Sequence, residues 1–120
     1  MKNLFIALVI TFVMLPSQSK AQTASEMQAC ESLSDFARFV MREKYNGTSF
    51  ISSLRICDDR SGRFSRFSRY FTPENWHFNC RSVTHSAYSR PDFTTEEWQQ
   101  YEISRFVNAV ELSCIQSINQ

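Results

Sequence analysis

Glycine is nearly absent, with two residues in 120, and no stretch alternates apolar with polar residues, so nothing in the sequence reads as a strand. Cysteine is limited to four residues with no Cys-x-x-Cys pair, which removes the common zinc-ligand spacing. The only two histidines, His77 and His85, stand too far apart to share one helical turn as metal ligands. No serine occupies a Gly-x-Ser-x-Gly elbow. The longest apolar run, Leu4 to Leu15, is about 12 residues against the roughly 20 that a membrane-spanning helix needs. The expectation is an all-α chain with no catalytic residues, no metal and no cofactor. Asp58-Asp59 reads as turn chemistry near a helix end rather than as a paired-carboxylate site.

What is present begins with an address. Lys2, the apolar run, Pro16 and Ser19-Lys20-Ala21 together read as a cleaved signal peptide over residues 1–21. Residues 22–120 are then a single mature helical domain, periplasmic or secreted, and its four cysteines fit a disulfide framework in an oxidising compartment. Removing Lys2 and Lys20 leaves 13 − 2 = 11 basic against 12 acidic residues, a net charge of −1. An exported, slightly acidic domain argues against nucleic-acid binding.

Helical periodicity is clear. Thr23 with Glu26 forms a capping-box pair, and Met27, Cys30, Leu33, Phe36, Ala37, Val40 and Met41 recur at three and four, predicting a helix over about 24–45. Asn46-Gly47 stops it; the sequon Asn46-Gly47-Thr48 is read first as this helix end. Thr48 or Ser49 caps a second helix with Phe50, Ile51, Leu54 and Cys57 on its apolar face. Thr72-Pro73 starts a third, to about 89, with Trp76, Cys80, Val83 and Ala87 inward. Thr94 with Glu97, and Phe93 stapled to Trp98, start a last helix over about 95–116. Its face of Ile103, Val107, Val110 and Cys114 is widened by Trp98, Tyr101 and Phe106. The whole predicts a compact bundle of about four helices.

Each cysteine is expected on the buried face of its helix. Of three pairings, Cys30 with Cys114 and Cys57 with Cys80 is favoured, because first and last helices of a bundle are often neighbours. Sequential pairing, Cys30 with Cys57 and Cys80 with Cys114, is the rival.

Residues 63–71 read Arg-Phe-Ser-Arg-Phe-Ser-Arg-Tyr-Phe, a basic-aromatic-small triplet repeated at a step of three. As a helix they would make a stripe of Phe64, Phe67 and Phe71 edged by arginines; as a loop they would not, and the pattern leaves both open. Residues 60–90 hold six arginines against Glu74, while the last 30 residues hold five acidic groups against Arg105. Guanidinium and aromatic groups together suit an anionic partner. Arg63, Arg66, Arg69 and Tyr70 are therefore the candidate binding residues, toward a protein partner or, secondarily, a membrane surface. Oligomeric state has no signature. A small hydrolytic enzyme is the alternative from another class.

Cys30, Ala37, Val40-Met41-Arg42, Gly47 and Ser49, followed by Ala87-Tyr88, Pro91, Phe106 and Cys114, resemble positions in small uncharacterised exported helical proteins of Gram-negative bacteria and their phages. The similarity departs over residues 57–80 and implies an exported helical domain without an activity. A fainter resemblance is to four-cysteine helical periplasmic immunity proteins of the Rap1a/Tai type, whose Pro-containing motif after the third cysteine is absent at Arg81-Ser82-Val83. It implies an immunity or inhibitor-like role.

Overall fold

The structure is a computed structural model that describes residues 23–119; the expected signal peptide, residues 1–21, lies outside them. Helix α1, Ala24–Tyr45, starts where Thr23 Oγ1 accepts from Glu26 N at 3.1 Å and donates to Glu26 Oε1 at 3.0 Å. It ends at Asn46, and Gly47 follows at φ +92°, a conformation in which a Cβ would be strained. Helix α2 is Phe50–Ile56. Of its two candidate caps, Ser49 accepts from Ser52 N, while Thr48 donates back to Glu43 Oε2.

The Arg/Phe segment, undecided from sequence, forms a single-turn helix α3 at Ser65–Ser68. Helix α4, Pro73–Tyr88, is capped by Thr72 Oγ1 with Pro73 in its first turn. Helix α5 is Glu96–Ile118. No strand occurs among the described residues, and the class is all-α: four helices of two turns or more plus the one-turn α3.

Helix α1 is the axle. Helix α5 packs along one side of it, α4 and α3 along others, and α2 packs mainly on α4. Cys30 bonds Cys114 at the start of α1, and Lys44 pairs with Asp92 at its end, so α1 and α5 are antiparallel. The second bridge joins Cys57 to Cys80; both span 5.5 Å between Cα atoms, ordinary disulfide spacing. The favoured pairing holds and the sequential one does not. Leu33, Phe36, Ala37, Val40 and Met41 of α1 meet Phe67, Trp76, Cys80, Ala87, Ile103 and Phe106 in one core.

Several expectations are corrected. The cap of α5 is Thr95, whose Oγ1 accepts from Trp98 N at 3.4 Å, one residue beyond Thr94. The Phe93 and Trp98 rings still meet, 5.7 Å apart, but out of staple register. Trp98 and Tyr101 do not widen the buried face; each is 53% exposed. The inward positions at that end are Glu102, Ile103, Phe106 and Val107; Tyr101 falls about 140° round the helix from Phe106 at 100° per residue, while Trp98 lies in the first turn, before the buried residues begin at Glu102. Met27 and Ile51 are likewise exposed. Cys57 caps the end of α2 rather than lying within it, and Cys114 is only half-buried.

Candidate functional site

The Arg/Phe segment is positioned by its middle ring. Phe67 is buried, with its centroid 5.4 Å from Phe36 and 5.5 Å from Phe39. Burying a phenyl ring contributes about 2–3 kcal/mol, enough to pin a four-residue helix that has no side-chain cap. Phe64 and Phe71 are half-buried against Phe39 and Trp76. The aromatic series is thus the edge of the core, and the arginines are displayed around it.

Arg66 lies over Phe67 at 4.6 Å and Phe39 at 5.8 Å, and Arg69 lies over Tyr70 at 5.2 Å. Between them and α1 runs an open groove of about 590 Å³. Its α1 wall is Gln28, Glu31, Ser32, Asp35, Arg38, Phe39 and Arg42, one face of the helix; its other wall is Arg66, Phe67, Arg69 and Tyr70. Three of the four candidate residues therefore line one groove. Arg63 does not: it lies over Phe64 at 5.4 Å and lines a neighbouring hollow with Glu43, Arg55 and Asp59.

The charge in the main groove is only partly compensated. Among the described residues, Arg38, Arg42, Arg66 and Arg69 make no ion pair and no side-chain hydrogen bond, nor do Glu31 and Asp35. Four guanidinium groups against two carboxylates leave the groove at 4 − 2 = +2. Aromatic faces below Arg66 and Arg69 hold them without neutralising them. Arg38 and Arg42 were not among the sequence candidates, although their spacing of four marks them as one helical face; what sequence alone could not supply was that α3 lies against that face.

A second cleft, of about 570 Å³, holds Asp58, Ser68, Glu74 and His77 beside Cys57. His77 Nδ1 is 3.3 Å from Asp58 Oδ1, and both side chains are at least half exposed. No hydroxyl hydrogen-bonds His77 among the described residues. Asp59 instead organises the turn after α2, accepting from Ser61 N and Oγ, which holds its carboxyl below the ordinary range. His85 packs edge-on against Phe50.

The sequence reading missed a charged junction under the ends of α1, α4 and α5. Glu102, 2% exposed, pairs with Arg90 at 3.3 Å and faces Arg105 at 3.8 Å. The buried ammonium of Lys44 bonds the carbonyls of Ala87 and Arg90 at the end of α4, where a cation is favoured. Tyr45 donates to Pro91 O at 3.0 Å; burial first, then Glu102 and Asp92, raise its pKa above the usual 10.0. Glu102 stands four residues before Phe106, so its inward placement was readable from spacing.

Fold and groove together define an all-α, disulfide-stapled protein with an arginine-aromatic groove. No family model matches the chain, and no solved structure matches it. A segment of 76 residues, 63% of the chain, is 33% identical to vacuolar protein sorting-associated protein 33B of Danio rerio. The chain spans 12% of that protein's length. No described helix is long and apolar enough to cross a membrane, and no described cluster of His, Cys, Asp and Glu could hold a metal ion.

Proposed function

We propose that the chain is a non-catalytic binding protein of an oxidising, exported compartment, periplasmic or extracellular, and that its groove takes an acidic segment of another protein. The observation that carries this reading is the convergence of Arg38, Arg42, Arg66 and Arg69, none of them in an ion pair, on one groove whose only carboxylates are Glu31 and Asp35. Guanidinium groups left unpaired at an aromatic-lined site are suited to bidentate recognition of carboxylates. A concave groove fits an inserted chain better than a flat bilayer, which favours a protein over a membrane surface. Two disulfides and the signal-like residues 1–21 support the compartment. An immunity or inhibitor-like role is one such function.

The test is capture from a periplasmic extract with oxidised residues 22–120, followed by titration of the captured protein at two ionic strengths. Arg66→Ser with Arg69→Ser weakens binding at least tenfold, and wild-type affinity falls with salt, because each groove charge acts over about a Debye length. Arg63→Ser changes it little. Equal affinity for wild type and the double variant rejects the groove. The Asp58–His77 pair favours a second reading, a small hydrolase; it requires turnover of ester or peptide substrates that His77→Ala abolishes.

A further inference from the structure

The net charge of +2 in the arginine groove is not spread evenly along it. On α1 the charged lining residues stand three and four apart in one stripe, and their signs run in order: Glu31 and Asp35 first, then Arg38 and Arg42. Ring contacts give the register of the opposite wall. Phe64 meets Phe39 at 6.0 Å, whereas Phe67 meets both Phe39 and Phe36, and Arg66 lies over Phe39. The α3 segment therefore runs back along α1, with Arg66 level with the basic half and Arg69 toward the acidic half. Arg38, Arg42 and Arg66 make +3 at one end; Glu31 and Asp35 with Arg69 make −2 + 1 = −1 at the other.

Folding does not account for this order. Residues four apart on a helix are neighbours, so Glu31 with Asp35 and Arg38 with Arg42 are two like-charged pairs, an arrangement that weakens a helix. Asp35 and Arg38, three apart, are spaced to pair, yet neither makes an ion pair among the described residues. The macrodipole acts within the end turns and so favours only Arg42, in the last turn of α1. We propose that the segment taken by the groove is itself bipolar, with an acidic block on Arg38, Arg42 and Arg66 and a basic block over Glu31 and Asp35. This rests on the reading of the groove as a protein-binding site and specifies the partner's chemistry. The midpoints of the two pairs on α1 fall at positions 33 and 40, about 10 Å apart at 1.5 Å per residue. An extended partner covers that distance in about three residues. A uniformly acidic segment filling the groove would lay carboxylates against Glu31 and Asp35, a like-charge juxtaposition that discriminates against it.

The experiment is fluorescence anisotropy on oxidised residues 22–120 with labelled, end-capped peptides at two ionic strengths: EEESKK, its alternating isomer EKESEK, and the all-acidic EEESEE. The isomers share one net charge, so a difference between them reads charge order alone. EEESKK should bind about threefold or more tighter than EKESEK at low salt, as a few exposed ion pairs allow, and added salt should shrink the difference. Glu31→Gln with Asp35→Asn should bring the isomers to equal affinity and strengthen binding of EEESEE. Both sites are exposed, so circular dichroism and Tm should not fall below wild type. Isomers that bind the wild type equally overturn the bipolar partner, as does a preference that survives Glu31→Gln with Asp35→Asn. In either case, EEESEE binding that weakens in Arg66→Ser with Arg69→Ser leaves the groove itself standing. No binding of any peptide overturns both.

Discussion

Glu102 counts in the sequence as one more carboxylate of an acidic tail, yet it is buried between two arginines. A buried ion pair adds little over an apolar replacement, but removing one partner strands the other. Arg90 is about a third exposed, so water recovers part of that cost. Glu102→Ala should therefore lower stability by about 2–3 kcal/mol, read from urea midpoints. Arg90→Ala with Glu102→Ala should cost less than the sum of the single changes, because the stranded charge is gone. Tyr45, beside this pair, gives the junction a pH limit. Its folded pKa lies above the unfolded value, so the linked stability is fully present below about pH 10 and lost as pH rises through the folded pKa. Stability measured between pH 8 and 11 should fall on the alkaline side, and Tyr45→Phe should flatten that fall. An unchanged alkaline limb in the variant would assign it elsewhere.

At the level of elements, helix starts were legible where a side-chain oxygen precedes an apolar run, as Thr23, Ser49 and Thr72 all show. The start of α5 is displaced by one residue because adjacent threonines both offer a capping oxygen: Thr94 has Glu97 three residues on and reads as the capping box, whereas Thr95 caps the helix with Trp98 at that position. Thr95→Ala should cost about 1 kcal/mol and Thr94→Ala close to nothing, a difference readable in thermal midpoints. The reverse order would restore the sequence register. The misplaced aromatics have a different cause: Trp98 and Tyr101 look like core by composition, whereas the residues of that end that turn inward are Glu102, Ile103, Phe106 and Val107. The groove was half legible. Arg66, Arg69 and Tyr70 stand out by repetition, but Arg38 and Arg42 gain meaning only from Phe67, whose burial against Phe36 lays α3 along α1. A long-range packing event of this kind has no local periodicity to announce it.

Across the whole molecule the two bridges do unequal work. Cys30–Cys114 closes a separation of 84 residues and ties the antiparallel pair α1 and α5, the largest helix contact; Cys57–Cys80 closes 23 and holds α2 to α4. Chain-entropy estimates assign about 4.5 kcal/mol to the longer loop and about 3.5 kcal/mol to the shorter, as upper figures. Those magnitudes are close, but the consequences differ by location. Without Cys30–Cys114, α5 is held to the bundle by packing of Ile103, Phe106, Val107 and Val110 and by the Glu102–Arg90 pair, and unfolding should remain global. Without Cys57–Cys80, the stretch from α2 through α3 loses its covalent tie and rests on Phe67 and on Tyr88, whose hydroxyl donates to Thr48 O at 2.6 Å. That stretch carries one wall of the arginine groove, so it should open locally before the rest unfolds. Paired Cys→Ser variants distinguish the two by hydrogen exchange and limited proteolysis. Cys57→Ser with Cys80→Ser should expose residues 57–72 to early cleavage while α1 and α5 stay protected, and should weaken partner binding more than its Tm loss suggests. Cys30→Ser with Cys114→Ser should lower the Tm of all helices together and leave groove affinity, measured below that Tm, near wild type. Equal protection of residues 57–72 in both variants would show that core packing at Phe67, not the bridge, holds the groove wall in place.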